Sequence, residues 1–217
     1  PSIKSLREQV DLNQDERLTN FFKECEFVGF TGLKSILLRN SDKLYAFNLF
    51  SLIKDFMYQR LLAYFQNYTQ QRMNPPINIA EFIDLEMNEG ESEIKFDFAP
   101  HAAMLDDYFS MSIQDGILYS LPKCITGYSP SLSGLPLFLK KLAQEIDWED
   151  EIECLGGLIN ELSNLYSVMP QDEDDRDLMK KIQNEIVVAI LPLLKSDDYK
   201  PSKDLWNCHS ICEIPIL

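Results

Sequence analysis

Basic residues are in short supply: 20 Lys and Arg stand against 35 Asp and Glu in 217 residues, a formal net charge of −15. A surface of that sign repels phosphate backbones, because nucleic-acid affinity comes largely from cations displacing condensed counterions. Direct DNA or RNA binding is therefore excluded as the expected role, while a basic protein partner is compatible. Histidine is scarcer still. Two residues in the whole chain cannot supply a convincing Ser-His-Asp or Cys-His catalytic arrangement, and the eight glycines form no phosphate-cradling loop. No apolar run approaches the ~20 residues that cross a bilayer, so no membrane role is expected. The five cysteines are odd in number and scattered, which points to free thiols in a reducing compartment, cytosol or nucleus, rather than a disulfide framework. Pro1 opens the chain with no Met and no secretory signal, and the expectation is a piece of something longer.

What the chain does have is concentrated between Cys25 and Phe65. Phe27-Val28-Gly29-Phe30, Ser35-Ile36-Leu37-Leu38 and Leu44-Tyr45-Ala46-Phe47 are short apolar runs separated by Thr31-Gly32 and Asn40-Ser41-Asp42, the pattern of an antiparallel meander. The period then changes. Leu52, Ile53, Phe56, Met57, Leu61, Tyr64 and Phe65 recur three or four apart, as on an amphipathic helix. The junction Asn48-Leu49-Phe50-Ser51 joins a strand end to a helix start, where unpaired backbone N–H groups make a natural site, yet the junction is apolar.

Two short helices, over Ser2–Val10 and Asp15–Glu24, lead into the meander. After the long helix, Gln66–Asn78 is polar and holds Pro75-Pro76, which predicts an extended linker and a lobe boundary. Ile79–Met87 is amphipathic, Asn88–Asp97 an acidic loop, and Ala99–Phe109 a helix. Met111-Ser112-Ile113 and Ile117-Leu118-Tyr119 flank Gln114-Asp115-Gly116 as a hairpin. Helices follow over Leu137–Glu145, from Trp148-Glu149-Asp150-Glu151 to Tyr166, and over Met179–Leu194, with an acidic loop at Gln171–Asp177 and a last strand in Ile211–Leu217. The sum is an α+β domain whose two hairpin-bearing pieces join in one antiparallel or mixed sheet with helices packed on it. It reads as one two-lobed unit over 1–217: 1–66 with 100–146 as a sheet-bearing dimerisation lobe, 67–99 with 147–217 as a helical external lobe.

Four stretches carry a family resemblance: Ala103-Met104-Leu105-Asp106-Asp107-Tyr108-Phe109-Ser110, Gly134-Leu135-Pro136-Leu137-Phe138, Ile146 through Cys154, and Phe56-Met57-Tyr58-Gln59. In this order they resemble the C-terminal domain of MutL-type DNA mismatch-repair proteins, and within that family the eukaryotic common subunit of the MutL heterodimers. The resemblance covers nearly the whole chain. It implies a nuclear scaffold subunit that heterodimerises with a catalytic (PMS-type) MutL endonuclease subunit and docks short-motif repair proteins such as a 5′-exonuclease. ATP would belong to an N-terminal domain outside these residues, and no cofactor is expected within them. The family's Cys-ending tail lies beyond the position of Leu217.

The resemblance also gives the apolar junction a meaning. Catalytic MutL subunits carry Asp-Gln-His-Ala-x2-Glu-x4-Glu there, with metal ligands that fall on Asn48, Phe50, Lys54 and Gln59 of this chain. An amide, an aromatic ring, a cation and a second amide replace a carboxylate, an imidazole and two further carboxylates, and Lys54 opposes a divalent cation. The expectation is no metal and no enzyme; the alternative is a metal-dependent endonuclease subunit acting as a MutL-type homodimer. Dimer contacts are expected at Tyr45, Phe47, Leu49, Phe50 and Phe56, whose competing reading is ordinary core. The family's peptide-docking surface falls near Glu151 and Trp148, where the competing reading for Glu151 is a helix-start acid serving the dipole. Pro100-His101-Ala102-Ala103 echoes the nuclease motif but reads as a helix start. Cys208-His209-x2-Cys212 is short of the four ligands zinc takes. Asp106-Asp107 and Asp172–Asp175 read as solvated helix ends and loops.

Overall fold

The computed structural model describes residues 2–88, 91–170, 175–207 and 211–214. Two helices, α1 (Ser2–Asn13) and α2 (Glu16–Glu24), precede the meander β1 (Glu26–Thr31), β2 (Ser35–Asn40) and β3 (Lys43–Asn48). Helix α3 (Leu49–Ala63) follows β3 directly, then β4 (Thr69–Asn78) and α4 (Ile79–Asp84). A 3-10 turn at Ala99–His101 leads into α5 (Ala102–Phe109), and β5 (Ile113–Gln114) and β6 (Ile117–Lys123) form the expected hairpin. The rest is α6 (Leu135–Gln144), α7 (Glu151–Ser167), α8 (Arg176–Glu185), a π-helical turn at Ile186–Ile190, α9 (Leu191–Leu194), α10 (Asp204–Asn207) and β7 (Ile211–Ile214).

The α+β class holds, but the strands form two sheets rather than one. The first has the order β1-β2-β3-β7 and the second β4-β6-β5. Gln66–Asn78 is accordingly not a linker: its residues 69–78 are β4, paired antiparallel with β6. Pro75 and Pro76 fit because they fall in the register break between Arg72 and Ile77, where a residue without an N–H takes no rung from the ladder. Alternating hydrophobicity tells a strand which face to bury, not which strand to join, and that is why the sequence led to a single sheet. The pairings also cross the lobe division drawn from the sequence, since β4 joins β6 and β7 joins β3.

The core lies on one face of the first sheet and around α3. Ile36, Leu38 and Phe47 are buried under α2, whose Phe21 and Phe22 rings lie 5.2 and 5.3 Å from Phe47. Phe22 and Phe56 both meet the ring of Tyr199 at 5.6 Å. Helix α3 packs on α7 through Leu52, Ile53, Phe56, Met57 and Leu61, all buried. Asp15 caps α2, its Oδ1 accepting from the N–H groups of Arg17 and Leu18. Phe47→Ala is expected to destabilise the chain by about 3–5 kcal/mol, through lost burial plus a cavity that neighbouring rings cannot fill. Urea denaturation followed by circular dichroism reads this.

Candidate functional site

Two places compete for function: the junction of β3 with α3, and the free face of the first sheet.

At the junction, Asn48 is the N-cap of α3, and its Oδ1 accepts from the Ser51 N–H at 2.9 Å. Phe50 in the first turn is 41% exposed. Lys54 lines a cleft of about 490 Å³ together with Val10, Asp55, Tyr58, Asn160 and Lys200. Gln59, two turns further along, is turned to the backbone of Lys200: its Nε2 donates to the Lys200 carbonyl at 2.9 Å, and its Oε1 accepts from the Lys200 N–H at 3.0 Å. The four positions thus serve as a cap, an exposed ring, a cleft wall and a backbone clip. Among the described residues no group of three or more His, Cys, Asp or Glu is arranged to hold a metal. These four side chains do not fit one either, since an amide committed to backbone bonds and an ammonium cannot replace carboxylates around a divalent cation. Asn48→Ala is expected to cost about 1 kcal/mol and Asn48→Asp close to nothing, because aspartate caps equally well. Denaturant midpoints of the two variants check this.

The sequence did not single out Asp55, which sits between Lys54 and Phe56 on the same helix. Its Oδ2 accepts from Tyr199 Oη at 2.7 Å, Gln59 Nε2 at 3.2 Å and the Ser202 N–H at 3.4 Å. Burial pushes the Asp55 carboxyl up to about 6, against the pull of these donors, and the nearby Asp204 adds to the rise. Only the spacing could have flagged it. An acid three residues after Leu52 and one before Phe56 stands beside an apolar stripe, where solvation is poor.

The free face of the first sheet follows from register. Partners across an antiparallel ladder share a face. Phe30, Ile36 and Phe47 form one inward row and Leu38 and Tyr45 belong to another. The opposite face therefore carries Gly29, Leu37, Ala46 and Cys212 in one row and Glu26, Arg39, Leu44 and Ile214 in the next. Leu37, Leu44, Ala46 and Ile214 are partly exposed and Cys212 is exposed. Val28, at the bulge between Phe27 and Gly29, is also exposed. Polar groups frame this apolar centre: the Glu26–Arg39 ion pair on one side, Thr31, Ser35 and Asn48 on the other.

This parity corrects the interface expected from the sequence. Phe47, Leu49 and Phe56 are buried within the chain, so they hold the fold and offer no contact surface, while Tyr45 is half-buried with its ring against Phe21 at 5.0 Å. Of the five, only Phe50 is exposed. The cause is the strict alternation of a strand: Tyr45 and Phe47 face the core, so Leu44 and Ala46 face away.

Glu151 is exposed and Trp148 half-buried, and both have local contacts. Glu151 opens α7 next to its N-cap Asp150 and accepts from Ser2 Oγ at 2.6 Å. Trp148 stacks on His101 at 4.2 Å and on Phe96 at 5.6 Å, which makes His101 part of an aromatic cluster as well as a helix start. Asp106 and Asp107 are exposed on α5. Cys208 and His209 lie outside the described residues, as do Asp172–Asp174 and Leu217, while Cys212 is a free, exposed thiol in β7.

Comparison with known proteins agrees with the resemblance read from the sequence. The family model described as DNA mismatch repair protein Mlh1 C-terminus matches residues 1–189. The chain is similar to the DNA mismatch repair protein MLH1 of Saccharomyces cerevisiae, 33% identical over 250 aligned residues that take in 100% of this chain and 32% of the relative. It is also similar to the DNA mismatch repair protein Mlh1 of Dictyostelium discoideum, 29% identical over 184 residues, 78% of this chain and 21% of the relative. The chain thus spans between a fifth and a third of the length of these relatives.

Proposed function

Since the chain belongs to the Mlh1 C-terminal family of DNA mismatch-repair proteins, we propose that it is a non-catalytic scaffold module whose work is heterodimerisation with a catalytic MutL-type subunit. The observation that carries this reading is the free face of the first sheet, apolar at its centre and polar at its rim, the composition of a protein–protein interface. Three strands of six residues and one of four, about 4.8 Å apart, give a face of roughly 300 Å². A stable interface takes about 800 Å² from each partner, so the sheet is the centre of the contact and loops around it supply the remainder. The charge of −15 disfavours a second copy of the same chain and favours a less acidic partner.

The absence of nuclease chemistry belongs to the same reading. It is supported by the commitments of Asn48 and Gln59 to backbone groups and by the cation at Lys54. Docking of short-motif repair partners such as a 5′-exonuclease, and a nuclear setting, are part of the same proposal, supported by membership of a mismatch-repair family.

Gel filtration with light scattering, on the chain alone and mixed with the C-terminal domain of a catalytic MutL-type subunit, tests the proposal. A one-to-one complex is expected. A monomer that ignores the partner, or manganese-dependent nicking of supercoiled plasmid by the purified chain, defeats it.

A further inference from the structure

Residues 199–205 run in extended and turned conformation between α1, α2 and α3, and are fastened along their whole length. The Pro201 carbonyl accepts from the Asp15 N–H at 2.8 Å, and the Lys203 N–H donates to the Asn13 carbonyl at 2.9 Å. Ser202 bridges to Gln14, and Asn13 Nδ2 donates to Ser202 Oγ at 2.9 Å and to Asp204 Oδ2 at 2.7 Å. On α3 the fastenings are Gln59, with its two bonds to Lys200, and Asp55, which receives Tyr199 and Ser202. Tyr199 and Leu205 are buried, so the segment is anchored at both ends.

Leu205 belongs to α10, and further along the chain lies β7, the last strand in the order of the first sheet. Five residues separate Leu205 from Ile211, a reach of at most about 20 Å over the six Cα–Cα steps. Anchoring Leu205 therefore confines β7 near the β3 edge and raises its effective concentration there. β7 is four residues long and, among the described residues, pairs with β3 alone, too little to hold its place independently.

We propose that residues 199–205 are a strap that keeps β7 on the sheet, and that Asp55 and Gln59 on α3 are its buckle. Opening the buckle frees β7 and removes Cys212 and Ile214 from the docking face, so the strap governs how complete that face is. The last clause rests on the interface reading given above; the strap itself does not.

The buckle responds to pH with a definite sign. Burial raises the Asp55 carboxyl, so the closed form holds a proton better than the open one, and rising pH favours opening. Lys54 and Tyr58 of α3 and Lys200 and Asp204 of the strap line the same cleft. The Lys200 ammonium is turned to Asp11 of α1 and Asp15 of α2 is paired with Arg17. Asp204 adds repulsion to an ionised Asp55.

Amide hydrogen exchange on the 217-residue chain, corrected for the intrinsic rate at each pH, tests the strap. Gln59→Ala removes the two hydrogen bonds to the Lys200 backbone and the one to Asp55, and exchange in residues 211–214 is expected to rise about tenfold or more with β1 and β2 unchanged. In the unsubstituted chain β7 exchange is expected to rise between about pH 4 and 6 and to level off above that, and Asp55→Asn, which keeps an acceptor for Tyr199, is expected to flatten that profile. Exchange in β7 that ignores Gln59→Ala, or rises equally in β1 and β2, overturns the proposal. So does an Asp55→Asn profile that superimposes on the unsubstituted one, an arm that survives even if Gln59→Ala fails to fold. If β7 loosens as expected while binding to the catalytic subunit is unaffected, the strap stands and the docking-face reading falls.

Discussion

Replacing Leu37 and Leu44 together by aspartate is expected to leave the chain folded and to abolish its association with a catalytic MutL-type subunit. Both side chains stand on the free face of the first sheet and are partly exposed. In the free chain the new carboxylates remain in water and cost little, and surface changes of this kind stay within about 0.5 kcal/mol. In the complex they would be trapped against apolar surface without partners, at several kcal/mol each in effective cost. Affinity should fall by about a thousandfold or more, since each 1.4 kcal/mol is a factor of ten. The control is one residue away. Ile36 and Leu38 are fully buried, so aspartate there should unfold the chain. Circular dichroism separates the two pairs, and light scattering on mixtures reads the association. A Leu37→Asp, Leu44→Asp chain that still forms the complex would remove the sheet from the interface.

The second large effect is on stability. Asp55→Asn is expected to stabilise the chain at pH 7 by about 1–3 kcal/mol. The carboxyl is raised from 3.8 to about 6 by burial, and two pKa units correspond to about 3 kcal/mol of preference for the neutral form. Partial exposure of the side chain trims this toward the lower figure by solvent screening. Because the folded value is the higher one, this group's contribution is fully present below about pH 4 and is lost as pH rises to about 6. Asparagine keeps an oxygen for the Tyr199 hydroxyl and the Ser202 N–H while discarding the charge. The difference in unfolding free energy between the two chains should therefore be small at pH 4, widen up to pH 6 and stay level above it. Taking the difference removes the opposite drift of carboxyls held low, such as Glu91, which Lys140 and Asn88 hold at about 2. An Asp55→Asn chain that is less stable at every pH would show that ionised Asp55 is a net support of the strap.

Local sequence was a good guide wherever local physics decides. The turns at Gly32 and Ser41, the three strands between them and the switch of period at Asn48 were all legible, because turn chemistry and hydrophobic period act over a few residues. Asn48 as helix start and Asp150 before α7 were legible for the same reason. The site was less so. Tyr45 and Phe47 advertise themselves as large apolar residues, but size says nothing about which way a strand faces. The free face of the sheet is made of the smaller residues between them. Asp55 was hidden because its environment is supplied by Tyr199 and Ser202, some 145 residues further along.

By itself, then, the sequence determined the class of fold, the placement of most helices and strands, and the family. Those conclusions rest on side-chain chemistry and short-range periodicity, which any stretch of chain carries with it. Only the tertiary structure decided that the described strands make two sheets, that β4 occupies the expected linker, which face of β3 stays uncovered, and that residues 199–205 fasten onto α3. Each of these depends on contacts between residues far apart in sequence, and such contacts are chosen by the packing of the whole core rather than by any segment within it.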